Sequence, residues 1–164
     1  MTAPVASPRL LGGFQLSLRA AAAAGFAVWI AQLLHLQYPL YALIAAVLVT
    51  DLSPPQSRLL AWRRLAGTVL GAACGAALIQ LLPPGPLSIG LSILAVMFVS
   101  HLLRLEAAAK LAGYVCGIVM LDFSAEPWTY ALHRLVETLV GIGMGVLVSF
   151  VPKLLRAEAT APGE

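Results

Sequence analysis

Charged residues are scarce in this chain. Asp, Glu, Lys and Arg make up 10% of the 164 residues, whereas soluble domains carry roughly a quarter. Hydrophobic residues make up 60%, and the mean hydropathy is +0.92. This leaves too little polar surface to coat a water-soluble globule, so the composition predicts an integral membrane protein whose partner is the lipid bilayer.

Residues for metal binding and catalysis are also few. The two cysteines, Cys74 and Cys116, lie inside apolar segments without CxxC spacing, which argues against a disulfide or a metal site. His35, His101 and His133 have no ligand spacing. Because nucleophile–base sets, phosphate-binding loops and dinucleotide fingerprints are also missing, we expect no enzyme, no metal and no cofactor.

A weak excess of basic residues gives a formal net charge of +3 and a pI near 9.2. The basic residues form no stripe and are not interleaved with aromatic residues, so nucleic acid is not an expected partner. They lie between apolar segments, where membrane topology accounts for them.

Six apolar segments fill most of the chain, and proline or glycine marks most breaks between them. The segments are continuous and rich in Ala and Leu, which favours helices over alternating strands. The fold class predicted is therefore an all-α integral membrane protein with six transmembrane helices. The predicted helices lie at about 14–36, 39–52, 64–82, 87–104, 108–123 and 130–151.

The basic residues predict the orientation of this membrane domain, which covers residues 14–151. Six spans put the tails, 1–13 and 152–164, on the same side. If that side is the cytoplasm, only Arg134 of the ten basic residues faces outward, as the positive-inside rule favours. We therefore expect a multi-pass protein of the cell inner membrane with cytoplasmic termini. The inward-facing residues would be Arg9, Arg19, Arg58, Arg63, Arg64, Arg104, Lys110, Lys153 and Arg156.

One motif, R-L-x-x-T-x-x-G-x-x-x-G, occurs at residues 64–75 and again at 134–145. Weaker matches precede both copies: DLS (51–53) with DFS (122–124), and LLHLQ (33–37) with LLRLE (102–106). Ala42 and Ala46 pair with Gly113 and Gly117 in this comparison. The matches predict two repeats, at about 14–82 and 87–151. Since each contains three helices, the second would enter the membrane inverted, as in many secondary transporters.

The second and fifth segments are the shortest and occupy equivalent places in the two halves. Short segments at corresponding positions indicate a transport pathway at the repeat interface. The alternative is that these helices are buried and the bilayer thins locally.

Three GxxxG pairs favour close helix packing, in a tight bundle or a homodimer. They are Gly71 with Gly75, Gly113 with Gly117, and Gly141 with Gly145.

Arg64 and Arg134 are the candidate substrate-binding residues. Topology explains Arg64 as a cytoplasmic anchor, but Arg134 lies on the wrong side for that rule. An arginine at a helix N-terminus adds a planar donor fork to the exposed amides and makes a good anion site. We expect the two arginines to bind an anionic substrate, together with Thr68 and Thr138 one turn further in.

Three acidic residues leave alternatives open. Arg134 could instead form an intramolecular pair with Glu137 or with Asp122. Asp51 and Asp122 close the short helices, where they could relay protons or simply end the helices by bonding to the backbone.

The strings QSRLLAWRRLAGTVLGAACGAAL and HRLVETLVGIGMGVLVSFV resemble the membrane domain of the aromatic acid exporter superfamily, which includes the fusaric acid resistance proteins. The resemblance implies six membrane helices and efflux of aromatic carboxylic acids. A related plant branch forms dimeric, malate-permeable channels. The matching motif residues are Arg64, Gly67, Thr68, Gly71 and Gly75. In the second copy, Arg134, Thr138 and Gly141 match, and Glu137 replaces Gly67.

The sequence therefore predicts a transporter or channel that moves anions, above all aromatic carboxylates, across the inner membrane. An inorganic anion or bicarbonate-type channel is one alternative, and a non-transporting membrane scaffold or assembly factor is another. We expect a homodimer or higher homo-oligomer, because six short helices alone give a thin pathway.

Overall fold

The computed structural model describes residues 8–83, 85–121 and 126–151, and all regular structure in these ranges is helical. The prediction of an all-α chain with six helices is confirmed. The helices are α1 (Pro8–Leu33), α2 (Pro39–Val49), α3 (Pro54–Leu78), α4 (Pro86–Leu102), α5 (Glu106–Leu121) and α6 (Pro127–Ser149).

Proline begins five of the six helices. Its fixed φ suits the first helical turn, and its missing N–H is one that the turn leaves unpaired anyway. Two predicted helix starts are wrong: α1 begins at Pro8 and not at residue 14, and α3 begins at Pro54 and not at residue 64. The stretch PPQSRLLAWR is too polar to stand out by hydropathy, but nothing after its prolines interrupts a helix.

Within the described residues, two helices are long and apolar enough to cross a membrane, α1 over Leu10–Leu33 and α6 over Pro127–Ser149. The two shortest helices are α2, with 11 residues, and α5, with 16. The prediction that the second and fifth segments are the shortest is thus confirmed.

The interior and the exterior of the bundle have the reverse of the usual distribution. Large apolar side chains such as Phe26, Leu94 and Phe98 are exposed, whereas the buried residues are mostly Ala, Gly, Ser, Thr and Val. In water, large hydrophobic residues would fill the core. In lipid, the outer surface is apolar and small residues let the helix backbones approach.

Glycines set the closest helix contacts. α3 packs on α5, and α6 packs on α2. A Cβ built on Gly71 would lie 2.8 Å from the Cβ of Val115 and would collide with the carbonyl oxygen of Ala112. On α6, a Cβ on Gly141 would lie 2.7 Å from the Cβ of Ala45 and would meet the carbonyl oxygen of Ala42. Only glycine allows these two approaches.

The glycine contacts change the predicted alignment of the short helix α2 with the short helix α5 by one residue. Ala42 and Ala46 face α6, in the way that Ala112 and Cys116 face α3. Gly113 and Gly117 were predicted to be their counterparts, but they lie one residue further along and face Ile93 of α4. The correct alignment of α2 with α5 depends on which helix each small residue faces. Comparing the two sequences does not reveal this, because small residues occur on more than one face.

One end of the bundle is held by polar contacts. Ser57, at the start of α3, donates to Ser149 at the end of α6 (Oγ–Oγ 2.6 Å), so α3 and α6 run antiparallel. The Arg19 guanidinium on α1 donates to the carbonyl oxygens of Leu52 and Val151. These bonds join the end of α2, the start of α3 and the end of α6 to α1.

We expect Gly141→Ala to lower the free energy of unfolding by about 1–3 kcal/mol, because the new methyl group overpacks the contact with α2. Gly143, on the same helix, has nothing within 4 Å of a built Cβ. Gly143→Ala is therefore the matched control. Thermal unfolding in detergent measures the difference, and equal melting temperatures for the two variants would contradict this packing.

Candidate functional site

Arg64 and Arg134 are buried inside the bundle, at 2% and 1% exposure. Arg64 lies near the middle of α3, and Arg134 lies about two turns inside α6. The prediction that they sit at helix N-termini is therefore wrong, because both helices begin earlier than hydropathy indicates. Arg64 is also not a surface anchor, since its guanidinium lies within the bundle.

The antiparallel arrangement of α3 and α6 fixes the depth of the motif residues. Thr68 lies as many residues after Ser57 as Thr138 lies before Ser149, so the two threonines share a level about 16 Å from the serine contact. Both are 1% exposed. Arg64 lies one turn from this level on the serine side.

Arg134 lies one turn beyond the same level, on the other side. The two guanidinium groups still act on each other electrostatically. The structure thus provides two buried positive charges, one on α3 and one on α6, with the level of the threonines between them along the bundle axis.

Each of the two buried arginines lies beside a tyrosine ring. The guanidinium carbon of Arg134 lies 3.1 Å from the ring centroid of Tyr41, and that of Arg64 lies 5.4 Å from the ring of Tyr114. Aromatic faces attract cations and so offset part of the cost of burying them. Each arginine thus meets a tyrosine on the helix that its own helix packs against.

The predicted site contains no tyrosine, but the structure brings three tyrosines together beside Arg134. Tyr38 packs edge-on against Tyr130 (ring centroids 5.5 Å apart), and the hydroxyl of Tyr130 lies 3.3 Å from that of Tyr41. The spacing of Tyr130 and Arg134, four residues apart on one helix, is the signal that indicates a shared face. By contrast, the three tryptophans Trp29, Trp62 and Trp128 are exposed.

Glu137 is completely buried between these groups. Its Oε1 accepts a hydrogen bond from the backbone N–H of Tyr38 at the start of α2 (2.7 Å). Its charge acts on Arg134, its neighbour one turn earlier on α6. On α3 the corresponding place is occupied by Gly67, where a Cβ would already collide with Leu111.

Several buried polar atoms of the cluster have no hydrogen-bond partner within the described ranges. They are Nε and Nη1 of Arg64, Oγ1 of Thr68 and Oε2 of Glu137. An unsatisfied buried group costs about 1–3 kcal/mol, and more when it is charged. The free arginine N–H groups and the threonine hydroxyl are the donors that a carboxylate or another oxyanion requires.

The other predicted acidic residues do not join this cluster. Asp51 lies at the serine end, where its Oδ1 accepts from the N–H of Ser53 (2.9 Å). Of the two roles that the sequence allows for Asp51, a proton relay or a bond to the backbone that ends the helix, this contact is the second. Asp122 lies outside the described residues. Across the described ranges, no group of three or more His, Cys, Asp or Glu could hold a metal ion.

Residues 26–148 match the sequence model of the fusaric acid resistance protein-like family, which covers most of the chain and both arginine motifs. The chain belongs to the fusaric acid resistance protein-like family. This confirms the resemblance seen in its motifs. No curated protein and no solved structure matches the chain.

Membership of the fusaric acid resistance protein-like family places the protein among membrane efflux transporters and not among enzymes. The membrane location agrees with the two long apolar helices and with the apolar exterior. The buried arginines and Glu137 all lie within the matched residues.

We expect Tyr41→Leu to lower the free energy of unfolding by about 1–2 kcal/mol, because it removes the aromatic face over Arg134. Tyr41→Phe keeps the ring and loses only the long hydroxyl contact with Tyr130, so its effect should be clearly smaller. Thermal unfolding of both variants measures this. Equal losses would show that the hydroxyl, and not the ring, supports Arg134.

Proposed function

We propose that the protein moves organic carboxylates, above all aromatic ones, across the cell inner membrane, with Arg64 and Arg134 attracting the anion. The observation that carries this proposal is the burial of both arginines in the bundle, with unpartnered N–H donors on Arg64. Ionisable residues inside a membrane domain are expensive, and they mark ion and substrate pathways.

The chemistry of the cluster supports a carboxylate. A guanidinium group binds carboxylate oxygens through parallel N–H donors. The hydroxyls of Thr68 and Thr138 would contact the anion as it passes the level between the arginines. The faces of Tyr41 and Tyr114, already beside the guanidinium groups, would accommodate an aromatic ring attached to the carboxylate.

The architecture we propose is six membrane-crossing helices in two inverted repeats. It is supported by the equivalent contacts of the two motif helices: α3 packs on α5 through Gly71, as α6 packs on α2 through Gly141. The pathway would then run along the α3–α6 contact, with one arginine towards each side of the membrane.

The driving force need not involve a proton motor. A membrane potential contributes about 2.3 kcal/mol per elementary charge per 100 mV, so anions leave a negatively charged interior downhill. A channel and an exporter share this electrostatic logic. The same cluster would also bind small inorganic anions, so chloride and bicarbonate belong in any substrate panel.

A scaffold function is less well supported. All six glycines of the GxxxG pairs face another helix of the same chain, so they offer no open face to a partner protein.

We also propose that the protein is a homo-oligomer, because α2 has only 11 residues and is too short to line a full membrane thickness. Mass measurement of the protein in lipid nanodiscs tests this.

The proposed orientation places both termini in the cytoplasm. Leu81, between α3 and α4, would then lie outside, and Leu103, between α4 and α5, inside; both are exposed. In a background with both native cysteines replaced, we expect a membrane-impermeant maleimide to label Leu81→Cys in intact cells, but Leu103→Cys only after permeabilisation. The reverse pattern would mean that the bundle is inserted the other way round.

We expect Arg64→Gln and Arg134→Gln to reduce benzoate flux in proteoliposomes at fixed voltage by about 100-fold, because each removes one of the charges that hold the anion. Arg63→Gln is the matched control, since Arg63 is adjacent in sequence but not buried. The flux of each variant should be measured with benzoate, malate, chloride and bicarbonate. Undiminished flux in folded Arg64→Gln and Arg134→Gln proteins would refute the proposed site.

A further inference from the structure

We infer that Glu137 is a proton-controlled counter-ion that competes with the transported anion for Arg134. This inference rests on the proposed function, and it assigns to one residue the control of passage between the two arginines. When Glu137 is ionised it occupies the positive field of Arg134, and when it is protonated it leaves that field to the substrate.

The charges of the cluster are unequally distributed. Glu137 acts on Arg134, whereas buried Nε and Nη1 of Arg64 lack a hydrogen-bond partner among the described residues. With Glu137 ionised, the cluster holds two positive charges and one negative charge, and the uncompensated positive charge belongs to Arg64. An incoming anion is therefore attracted to Arg64 but meets a carboxylate of its own sign before it reaches Arg134.

The position of Glu137 matches this role. It lies about one residue from the level of the two threonines, which an anion must pass to move between the arginines. Its Oε2 is buried and has no hydrogen-bond partner in the part of the chain that the structure describes. That oxygen can accept a proton without breaking an existing bond.

The anchor of the carboxyl group survives protonation. Oε1 accepts from the Tyr38 N–H, and a carboxyl oxygen accepts such a bond in the acid and in the carboxylate. Protonation at Oε2 thus removes the negative charge while the side chain stays in place. The change is electrostatic and needs no rearrangement of α2.

Few other groups near Glu137 can change charge. Tyr38 donates its backbone N–H to Glu137, and Tyr41 lies over Arg134. Arg134 and Tyr130 lie one and two turns before Glu137 on α6, and Arg64 lies on α3, on the serine side of the threonine level. Arginine and tyrosine keep their charge between mildly acidic and neutral pH. On α1, the buried charge of Arg19 is directed to the opposite end of the bundle.

His133 is the histidine on α6 itself; it precedes Arg134 directly and is partly buried. It lies off the buried face of α6 that carries Arg134 and Glu137. It therefore supplies the control for any pH effect.

The experiment measures benzenesulfonate flux into proteoliposomes at a fixed potential, from neutral to mildly acidic pH. Benzenesulfonate stays ionised throughout, so a pH effect belongs to the protein, and no neutral acid crosses the lipid by itself. We expect the wild-type flux to rise at least about tenfold on acidification, within the usual range for coupled sites. His133→Gln should keep this rise.

Glu137→Gln should carry a high flux that does not change with pH, because the amide is always uncharged and its oxygen can still accept from Tyr38. Glu137→Gly, which copies the residue at position 67, should show the same loss of pH dependence. A Glu137→Gln protein that keeps the wild-type pH profile would overturn the inference. So would a neutral-pH flux no higher than that of the wild type.

Failure of the inference and failure of the proposed function look different. If flux requires Arg64 and Arg134 but the Glu137 variants behave like the wild type, only the inference is lost. If flux is unchanged in the arginine variants, the proposed function itself is wrong, whatever Glu137 does.

Discussion

The burial of two arginines in the centre of a small, apolar bundle is the constraint on which the rest of this structure depends. A guanidinium group cannot shed its charge, and in a low-dielectric interior an unpaired charge is very unfavourable. The bundle provides partial compensation: the Tyr41 ring over Arg134, the ring of Tyr114 near Arg64, and the carboxylate of Glu137. The compensation is incomplete at Arg64. The family suggests membrane efflux, and the use we propose for these charges is to attract an anion.

The small residues of the core serve the same constraint. Without a hydrophobic driving force between helices in lipid, association depends on close packing. Gly71 and Gly141 let α3 approach α5 and α6 approach α2 until backbone atoms touch. Arg64 and Arg134 each lie seven residues before the contact glycine of their own helix, so each arginine is on the side of its helix that carries the glycine contact. On each of these two helices the arginine comes before the threonine in the sequence, and the glycines come after it. The buried charge and the closest backbone contact therefore lie on opposite sides of the threonine.

The local features of this arrangement follow from the sequence, and the assembled ones do not. The prolines indicate where helices begin, the GxxxG spacing predicts tight contacts, and the repeated motif singles out Arg64 and Arg134. Hydropathy failed at Pro54, since a polar first half of a helix resembles a loop when only apolarity is scored. That error placed Arg64 at a helix end. The meeting of the arginines with the tyrosines depends on which helices pack together, and one chain read in order does not contain that information.

The difference between the two motif copies has more consequences than their likeness. Most motif positions agree between α3 and α6, but Gly67 on one helix corresponds to Glu137 on the other. On α3 the place is filled by the neighbouring Leu111, whereas on α6 it holds a carboxylate that reaches the start of the short helix α2. Two copies of one arginine motif would by themselves form two equal anion sites. One added carboxylate makes the sites unequal, because it compensates Arg134 and not Arg64. In the proposed pathway, an anion would therefore meet an uncompensated charge at Arg64 and a compensated one at Arg134, and the protonation of Glu137 would set the difference between them.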